Sequence, residues 1–202
     1  MSMIWQQLGA IATATVAAGQ DDRGTVDPAI RALWQPMRMC GIAYTIAAPA
    51  ADNKPVHLAI AEAPADSVLV ACNGGHRETA IIGDILIRNM MQRGFRGFVT
   101  DGVIRDLSEC RDLGLPIFAS GVCMRGPGKD DNGTRGQPVN LGGVLVETGD
   151  YILGDDDGLV VVKPHEAEAV LERARAKETF EQEVMRRIEA GENSVEIFGI
   201  RE

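Results

Sequence analysis

Two charged residues stand next to each other where an apolar segment ends. In the stretch GFVTDGVIRD, residues 97–106, Arg105 and Asp106 directly follow Val103 and Ile104. Arginine offers a planar fork of N–H donors to a carboxylate or an enolate oxygen, and aspartate offers a hard oxygen ligand to Mg²⁺. The alternative is a helix start in which Asp106 caps the segment LSEC and Arg105 points to water. These residues alone favour that alternative at least as much as catalysis.

A second candidate lies in the stretch ETAIIGDIL, residues 78–86. If Gly83 opens a helix, the free backbone amides of Gly83, Asp84, Ile85 and Leu86 form an anion-binding turn that suits a small carboxylate, and Asp84 caps that turn. The alternative is that Gly83 only allows close helix packing and that Asp84 is solvated. The local pattern by itself favours this alternative by about two to one.

Other polar groups fit structural roles better. The acidic run GDDDG, residues 154–158, matches a glycine-flanked hairpin turn rather than a calcium loop. His57 and His76 are isolated in the sequence, and only His76, in a glycine-rich loop, is expected near the anion-binding turn. The cysteines lack the paired spacing of a zinc or redox motif and are expected to be buried thiols. They are Cys40, Cys72, Cys110 and Cys123.

Composition restricts the partners that the chain can have. The 202 residues carry a formal net charge of −9, with 45% hydrophobic and 24% charged residues, which is typical of a globular protein. A nucleic-acid partner would need a basic surface, so none is expected. The first 22 residues lack a basic leader pattern and a membrane-length apolar run, which predicts a cytoplasmic protein. One domain over residues 1–202 accommodates this length.

The elements that must position these residues alternate between strands and helices. Such alternation is typical of an α/β fold whose sheet is mainly parallel, here with a β-rich second half. The expected strands are residues 40–47, 66–72, 94–104 and 115–122. The expected helices are residues 4–18, 29–34, 56–63, 81–93, 106–114 and 165–190. Residues 124–140 are expected to be a long loop, and long loops in compact domains are often functional.

Taken together, the chain resembles the RraA-like superfamily, and in particular its class II pyruvate aldolase branch, the 4-hydroxy-4-methyl-2-oxoglutarate and 4-carboxy-4-hydroxy-2-oxoadipate aldolases. The likeness runs from CGIAYTI through ETAIIGDIL and RGFRGFVTDGVIRD to PVNLGGVLVETGDYILGDDDGLVVV. The middle motif is the most specific of these. The resemblance implies an α/β fold, an αββα sandwich with a mixed sheet and covering helices. It also implies a homotrimer or homohexamer with active sites between subunits.

The resemblance also implies roles for the candidate residues. The amides of residues 83–86 would hold a pyruvate carboxylate, and Arg105 would bind the keto or enolate oxygen. Asp106 would bind Mg²⁺ or Mn²⁺, largely through a hydrated shell, and Asp84 would orient a catalytic water. Glu178 on the C-terminal helix, chosen over Glu181, would reach the site of a neighbouring subunit.

The implied activity is a divalent-metal-dependent lyase that cleaves a 4-hydroxy-2-oxo acid to pyruvate and an oxo acid. An oxaloacetate decarboxylase activity would follow from the same stabilised enolate. The alternative within the same superfamily is a non-catalytic regulator that binds a ribonuclease or another protein. As the resemblance has it, those regulators lack the carboxylate after the arginine, so the presence of Asp106 favours the enzyme.

Overall fold

The computed structural model describes residues 3–201, and its core is an eight-stranded mixed sheet. The helices are α1 (Ile4–Leu8), α2 (Thr13–Ala18), α3 (Lys54–Glu62), α4 (Asp84–Gln92), α5 (Leu107–Leu113), α6 (Ala167–Glu189) and α7 (Ser194–Ile197). The strands are β1 (Arg31–Ala32), β2 (Met39–Ala47), β3 (Ser67–Cys72), β4 (Ala80–Ile82), β5 (Gly97–Thr100), β6 (Val103–Ile104), β7 (Ile117–Ala119), β8 (Thr134–Arg135), β9 (Val139–Leu141), β10 (Val144–Val146), β11 (Tyr151–Asp155) and β12 (Gly158–Val162).

The main sheet has the strand order β1-β7-β5-β3-β2-β11-β12, with β8 paired to β2. The four central strands β7, β5, β3 and β2 are parallel, whereas β1, β8, β11 and β12 pair antiparallel. The predicted α/β fold with a mixed sheet and covering helices is therefore confirmed.

Both faces of the sheet centre are buried, which explains the continuous apolar run of β3. Leu69 and Ala71 point into the core under α3, α4 and α5, and Val68 and Val70 point into a core with β9 and β10 on the opposite face. Helices α1, α2 and α6 cover the β11–β12 end. The helices thus hold the sheet rigidly, and the loops at its strand ends are left to build a site.

The N-terminal prediction needs two corrections. The helix expected over residues 4–18 is interrupted after Leu8. Gly9 is the C-cap residue there, and it packs so closely on Cys40 that an added Cβ atom would lie 2.6 Å from the Cys40 Cβ. The helix expected over residues 29–34 is wrong. Only one turn forms, held by Asp27, and β1 then pairs with β7 as an edge strand.

The strand and helix boundaries around the candidate residues also differ from the prediction. Ile81 and Ile82 were expected in a helix but belong to strand β4, and the helix starts only after Gly83. The single strand expected over residues 94–104 is split at Gly102 into β5 and β6. Tertiary pairing explains both differences, since β4 and β6 form a separate parallel two-stranded sheet.

The second half of the chain follows the prediction except in the long loop expected over residues 124–140, where β8 pairs with β2 and β9 begins at Val139. The acidic run 154–158 forms the turn between the antiparallel strands β11 and β12. Helix α6 spans nearly the predicted range and exposes Phe180, which contacts Phe198 beyond α7. Within residues 3–201, no helix combines the length and the apolar character that a membrane span requires.

Candidate active site

The parallel pairing of β4 and β6 brings the two candidate motifs together. Parallel strands end at the same edge, so the residues after β4 and β6 lie side by side. The Arg105 amide donates to the Ile82 carbonyl at 3.0 Å, which fixes the register at that edge. A Cβ atom on Gly83 would overlap Asp106 Oδ2 and lie 3.1 Å from Arg105 Nε. Only glycine therefore fits against this Arg–Asp pair without a shift.

Gly83 opens helix α4, as the first of the two interpretations predicted. It is the N-cap residue, and no side chain among residues 3–201 caps the helix. The amides of Asp84, Ile85 and Leu86 form its first turn, where backbone N–H groups lack acceptors within the helix. The predicted cap by Asp84 is wrong, because its Oδ2 instead faces Arg88 Nε one turn later at 3.4 Å. The amides thus remain available to an anion.

Arg105 and Asp106 form a partly exposed ion pair at the start of helix α5. Arg105 Nε donates to Asp106 Oδ2 at 3.1 Å, and the two side chains are 38% and 33% exposed. Asp106 occupies the N-cap position with a left-handed backbone (φ 55°), but its side chain makes no capping hydrogen bond. Since the capping interpretation required that bond, the Asp106 carboxylate is left to face Arg105 and Gly83.

The raised pKa of the buried Cys110 thiol indicates that Asp106 and Asp84 both lie near it. Burial, and after it the negative charges of Asp106, Asp84 and Glu109, raise the pKa of the Cys110 thiol to about 12. The neutral thiol donates to the Arg105 carbonyl at 3.3 Å. Cys110 therefore anchors the Arg–Asp turn and is not a nucleophile at neutral pH.

Gly83, Arg105 and Asp106 line a cleft of about 170 Å³, the size of a small-molecule anion site rather than of a large ligand pocket, whereas the predicted site residue Asp84 is not among its lining residues. Three polar residues that the sequence did not single out for this site complete it, namely Asn53, His57 and Lys129. The remaining lining residues are Ile82, Gly83, Ile85, Leu86, Arg105, Asp106, Gly126 and Pro127.

The long loop supplies the far wall of the cleft because it is pinned to the start of α3. The backbone N–H of Asn53 donates to the Gly128 carbonyl at 3.1 Å. Burial opposes ionisation of Asp52, but the backbone amides of Asp130, Lys54 and Asp131 donate to its carboxylate and hold its pKa below the ordinary value. This anchoring brings residues 126–129 opposite Arg105.

His57 lies near Lys129 on this side of the cleft. Burial, and after it the positive charge of Lys129, lower the pKa of His57 below its ordinary value. We expect NMR titration to give His57 a pKa below about 6.5, and Lys129→Gln to raise that pKa only partly, because burial is the larger cause. Below about pH 6.5 the unfolded chain binds the proton that the folded site resists, so this group's contribution to stability declines as the pH falls.

The matched control is Lys177→Gln, which removes a lysine from the helix α6 pair with Glu181. It should leave the His57 titration unchanged. A His57 pKa at or above the ordinary value in the unaltered protein would contradict this electrostatic picture.

Several other candidates lie outside the cleft. His76, which the sequence placed near the anion-binding turn, does not line it, whereas His57 does. Asp101 accepts hydrogen bonds from the amides of Asn73 and Gly75 at 2.7 and 2.9 Å and so ties the loop after β3 to β5. Glu178 lies on α6 and is not part of this chain's own cleft. Its expected role in a neighbouring subunit's site stays a prediction.

The side chains that line the cleft are compatible with a strongly hydrated cation. Among residues 3–201, no group of three or more His, Cys, Asp or Glu side chains is arranged to hold a metal ion. Mg²⁺ keeps several waters and needs only one or two carboxylates. Asp106 is the carboxylate that lines the cleft, and Arg105 occupies only its Oδ2 in the described hydrogen bonds. Asp106 Oδ1 is thus the carboxylate oxygen of the lining that a hydrated Mg²⁺ ion would use, and the metal stays a prediction.

The comparisons with known proteins bear on this geometry. The family model described as RraA-like, Aldolase/RraA, matches residues 13–161, which include both motifs of the cleft. The chain belongs to the RraA-like family. The family membership predicted from the sequence is thereby confirmed.

Individual RraA-like relatives carry two kinds of name. A protein of Halalkalibacterium halodurans named "Putative 4-hydroxy-4-methyl-2-oxoglutarate aldolase" is 32% identical over 172 residues, which is 85% of this chain and 82% of that protein. Streptomyces coelicolor RraAS2, described as an unusual member of the RNase ES inhibitor RraA protein family, has a TM-score of 0.83 at 28% identity and covers 91% of this chain and 97% of its own.

A third match is a crystal structure of an uncharacterized Pseudomonas syringae protein. Its TM-score is 0.84 at 28% identity, and the match covers 94% of this chain and 90% of that one. The family fold thus extends over almost the whole chain, while the names of its members include both an aldolase and a ribonuclease inhibitor.

Proposed function

We propose that this RraA-like protein is a divalent-metal-dependent lyase that cleaves a 4-hydroxy-2-oxo acid into pyruvate and a second oxo acid. The observation that carries the proposal is the convergence of the uncapped α4 N-terminus, Arg105 and Asp106 on one small cleft. The aldolase name of a relative with 32% identity supports it. Oxaloacetate decarboxylation is proposed as a second activity, since it passes through the same pyruvate enolate.

Each group of residues in the cleft has its own role in the proposed reaction. The amides of Asp84, Ile85 and Leu86 hold the substrate carboxylate at the positive end of the helix. Arg105 donates to the keto oxygen, where negative charge develops as the C3–C4 bond breaks. A water takes the proton of the 4-hydroxyl group. Asp84 would orient that water once its carboxylate turns from Arg88 toward the cleft, which it does not line in this structure. C4 becomes the carbonyl carbon of the released oxo acid, and C3 of the enolate takes up a proton.

The proposed metal would be held by Asp106, as Mg²⁺ or Mn²⁺. Such an ion, when bound, acts as a Lewis acid that adds to the electrostatic stabilisation of the enolate oxygen. A single carboxylate in the cleft leaves coordination positions to water and to a group from outside this chain. We therefore retain a homotrimer or homohexamer in the proposal, with Glu178 supplied by a neighbouring subunit.

Metal dependence tests this function directly. Pyruvate release from 4-hydroxy-2-oxoglutarate and related 4-hydroxy-2-oxo acids, coupled to NADH oxidation by lactate dehydrogenase, should require Mg²⁺ or Mn²⁺ and should disappear on chelation with EDTA. Asp106→Ala should abolish it, whereas Asp112→Ala, which removes an exposed carboxylate of α5, should retain it. If neither these acids nor oxaloacetate yield pyruvate with added metal, the proposal is wrong.

The second candidate function is a protein-binding regulator, which the relationship to RraAS2 favours. It predicts inhibition of a ribonuclease of the E type by this chain, and predicts that Asp106→Ala leaves the inhibition intact because no chemistry is involved. The lyase proposal predicts no such inhibition. A ribonuclease cleavage assay with the unaltered protein and with Asp106→Ala therefore separates the two functions.

A further inference from the structure

We propose that Asp52 is a positioning residue of the cleft: its buried carboxylate holds the loop of residues 126–131 in place, so that this wall is already formed when the substrate arrives. The inference rests on the proposed lyase function for its kinetic consequence, and it deepens that function. The position of the loop itself can be measured without any activity.

The Asp52 carboxylate joins two segments that are distant in the sequence. Asp52 is only 8% exposed and directly precedes the start of α3. Its Oδ1 accepts the backbone N–H of Lys54 at 2.9 Å. Its Oδ2 accepts the backbone N–H groups of Asp130 and Asp131 at 2.6 and 3.3 Å. One carboxylate thus connects the first turn of α3 to the loop.

The loop has few other attachments. Within the described residues 3–201, residues 127–131 hydrogen-bond to distant parts of the chain only through residues 51–54. The backbone of Gly128 donates to that segment at 2.8 Å and accepts from it at 3.1 Å. The carboxylate of Asp52 adds the two bonds nearest to the end of the loop. Its loss would therefore free a large part of what holds the loop against α3.

Two groups of the cleft depend on where this loop lies. A Cβ atom on Gly126 would lie 2.8 Å from Arg105 Nη1, so the loop backbone packs against the guanidinium group. Further along the loop, the positive charge of Lys129 contributes to the lowered pKa of His57 on α3. A released loop would open the cleft beside Arg105 and would move Lys129 away from His57.

The clamp needs both oxygens of a carboxylate. Asparagine has nearly the same shape, but its NH₂ group donates hydrogen bonds and cannot accept them. In Asp52→Asn that group would face a backbone N–H on one side, either that of Lys54 or those of the loop. One side of the clamp is then lost while the volume of the side chain is kept. This makes Asp52→Asn the informative variant.

The kinetic effect should appear in KM rather than in kcat. A ligand that binds only when the loop is in place loses affinity in proportion to the fraction of molecules that have it there. With Mg²⁺ bound, Asp52→Asn should raise KM for 4-hydroxy-2-oxoglutarate about tenfold, as expected for the loss of one hydrogen bond to a charged group. The bound substrate then holds the loop in its usual position, so kcat should stay within about threefold.

NMR titration of His57 in the protein without substrate measures the loop position directly. Asp52→Asn should raise the pKa of His57, because the charge of Lys129 is withdrawn and the imidazole becomes less buried. Loss of a nearby negative charge alone would lower that pKa, so a rise identifies movement of the loop. Asp130→Pro removes an N–H donor from the loop side and leaves the carboxylate intact. It should give the same rise, and it decides the question if Asp52→Asn does not fold.

Asp101→Asn is the matched control. The Asp101 carboxylate accepts the amides of Asn73 and Gly75 and so holds a different loop, which lies outside the cleft. This variant should leave KM and the His57 pKa unchanged even where its melting temperature falls.

Equal responses of Asp52→Asn and Asp101→Asn would assign Asp52 a merely structural role and overturn the inference. An unmoved His57 pKa in both Asp52→Asn and Asp130→Pro would overturn it as well. An unaltered protein that releases no pyruvate would instead overturn the proposed function, whereas the His57 titration would still decide whether Asp52 positions the loop.

Discussion

Arg105→Lys is expected to lower kcat for pyruvate release by about 10²- to 10³-fold, the usual effect of removing a donor from a developing oxyanion. Lysine keeps the positive charge but loses the planar fork of Arg105, two of whose nitrogens have defined places in the structure. Its Nε donates to Asp106, and its Nη1 approaches the backbone of Gly126, where a Cβ atom would lie 2.8 Å away. A flexible ammonium group cannot hold both positions. Steady-state kinetics of both proposed reactions measure the loss.

The matched control for this prediction is Arg111→Lys. Arg111 lies on α5, only six residues further along, and its side chain is 61% exposed beside Asp112. Its replacement should leave kcat within about twofold, in line with the small effect of exposed ion pairs. If Arg105→Lys were as active as the Arg111 variant, Arg105 would be a surface residue and the proposed electrostatic role would fail.

Gly83→Ala is expected to lower kcat/KM by about 10²-fold while the protein stays folded. The added methyl group would overlap Asp106 Oδ2 and crowd Arg105. Because the overlapped atom is the tip of a partly exposed side chain, the carboxylate can swing away, so the change displaces the catalytic pair rather than the backbone. A displacement of about 1 Å in a reactive site is enough for such a loss. Kinetics and thermal unfolding should be measured on the same sample.

Gly128→Ala provides the comparison. Gly128 lies on the loop of the same cleft, and its added methyl group would meet only ordinary contacts, at 3.4 Å from the carboxylates of Asp130 and Asp52. We expect near-normal activity and an unchanged melting temperature. Full activity of Gly83→Ala would mean that Asp106 works from another position than the one described.

The sequence predicted those parts of the fold in which the local residue pattern agrees with the tertiary structure. The apolar run of β3 and the long periodic helix α6 lie where their patterns placed them. The pattern failed where pairing with a distant strand overrode it. Ile81 and Ile82 are compatible with helical spacing, but β4 pairs with β6. Within the helix expected over residues 29–34, Arg31 and Ala32 instead pair with β7 as an edge strand. Such pairings depend on contacts that no local window contains.

The candidate site was predictable only in part, for the same reason. Gly83, Arg105 and Asp106 stand at breaks in the pattern, which draws attention to them. Asn53 and His57 give no such signal, because one reads as a loop residue and the other as part of an amphipathic helix. Their only local cue is a spacing of four residues, which places them on the same side of α3. Lys129 reaches the cleft only through the anchoring of a long loop by Asp52.

The left-handed backbone of Asp106 sets stability against function at a single position. A non-glycine residue in that conformation costs about 1–2 kcal/mol, and glycine would remove the cost. Substitution by glycine would thus relieve the backbone strain but would remove the carboxylate and its hydrogen bond to Arg105. Selection for stability alone would drive this position away from aspartate. Under the proposed lyase function, a chain with glycine at this position would keep the RraA-like fold and lose the activity.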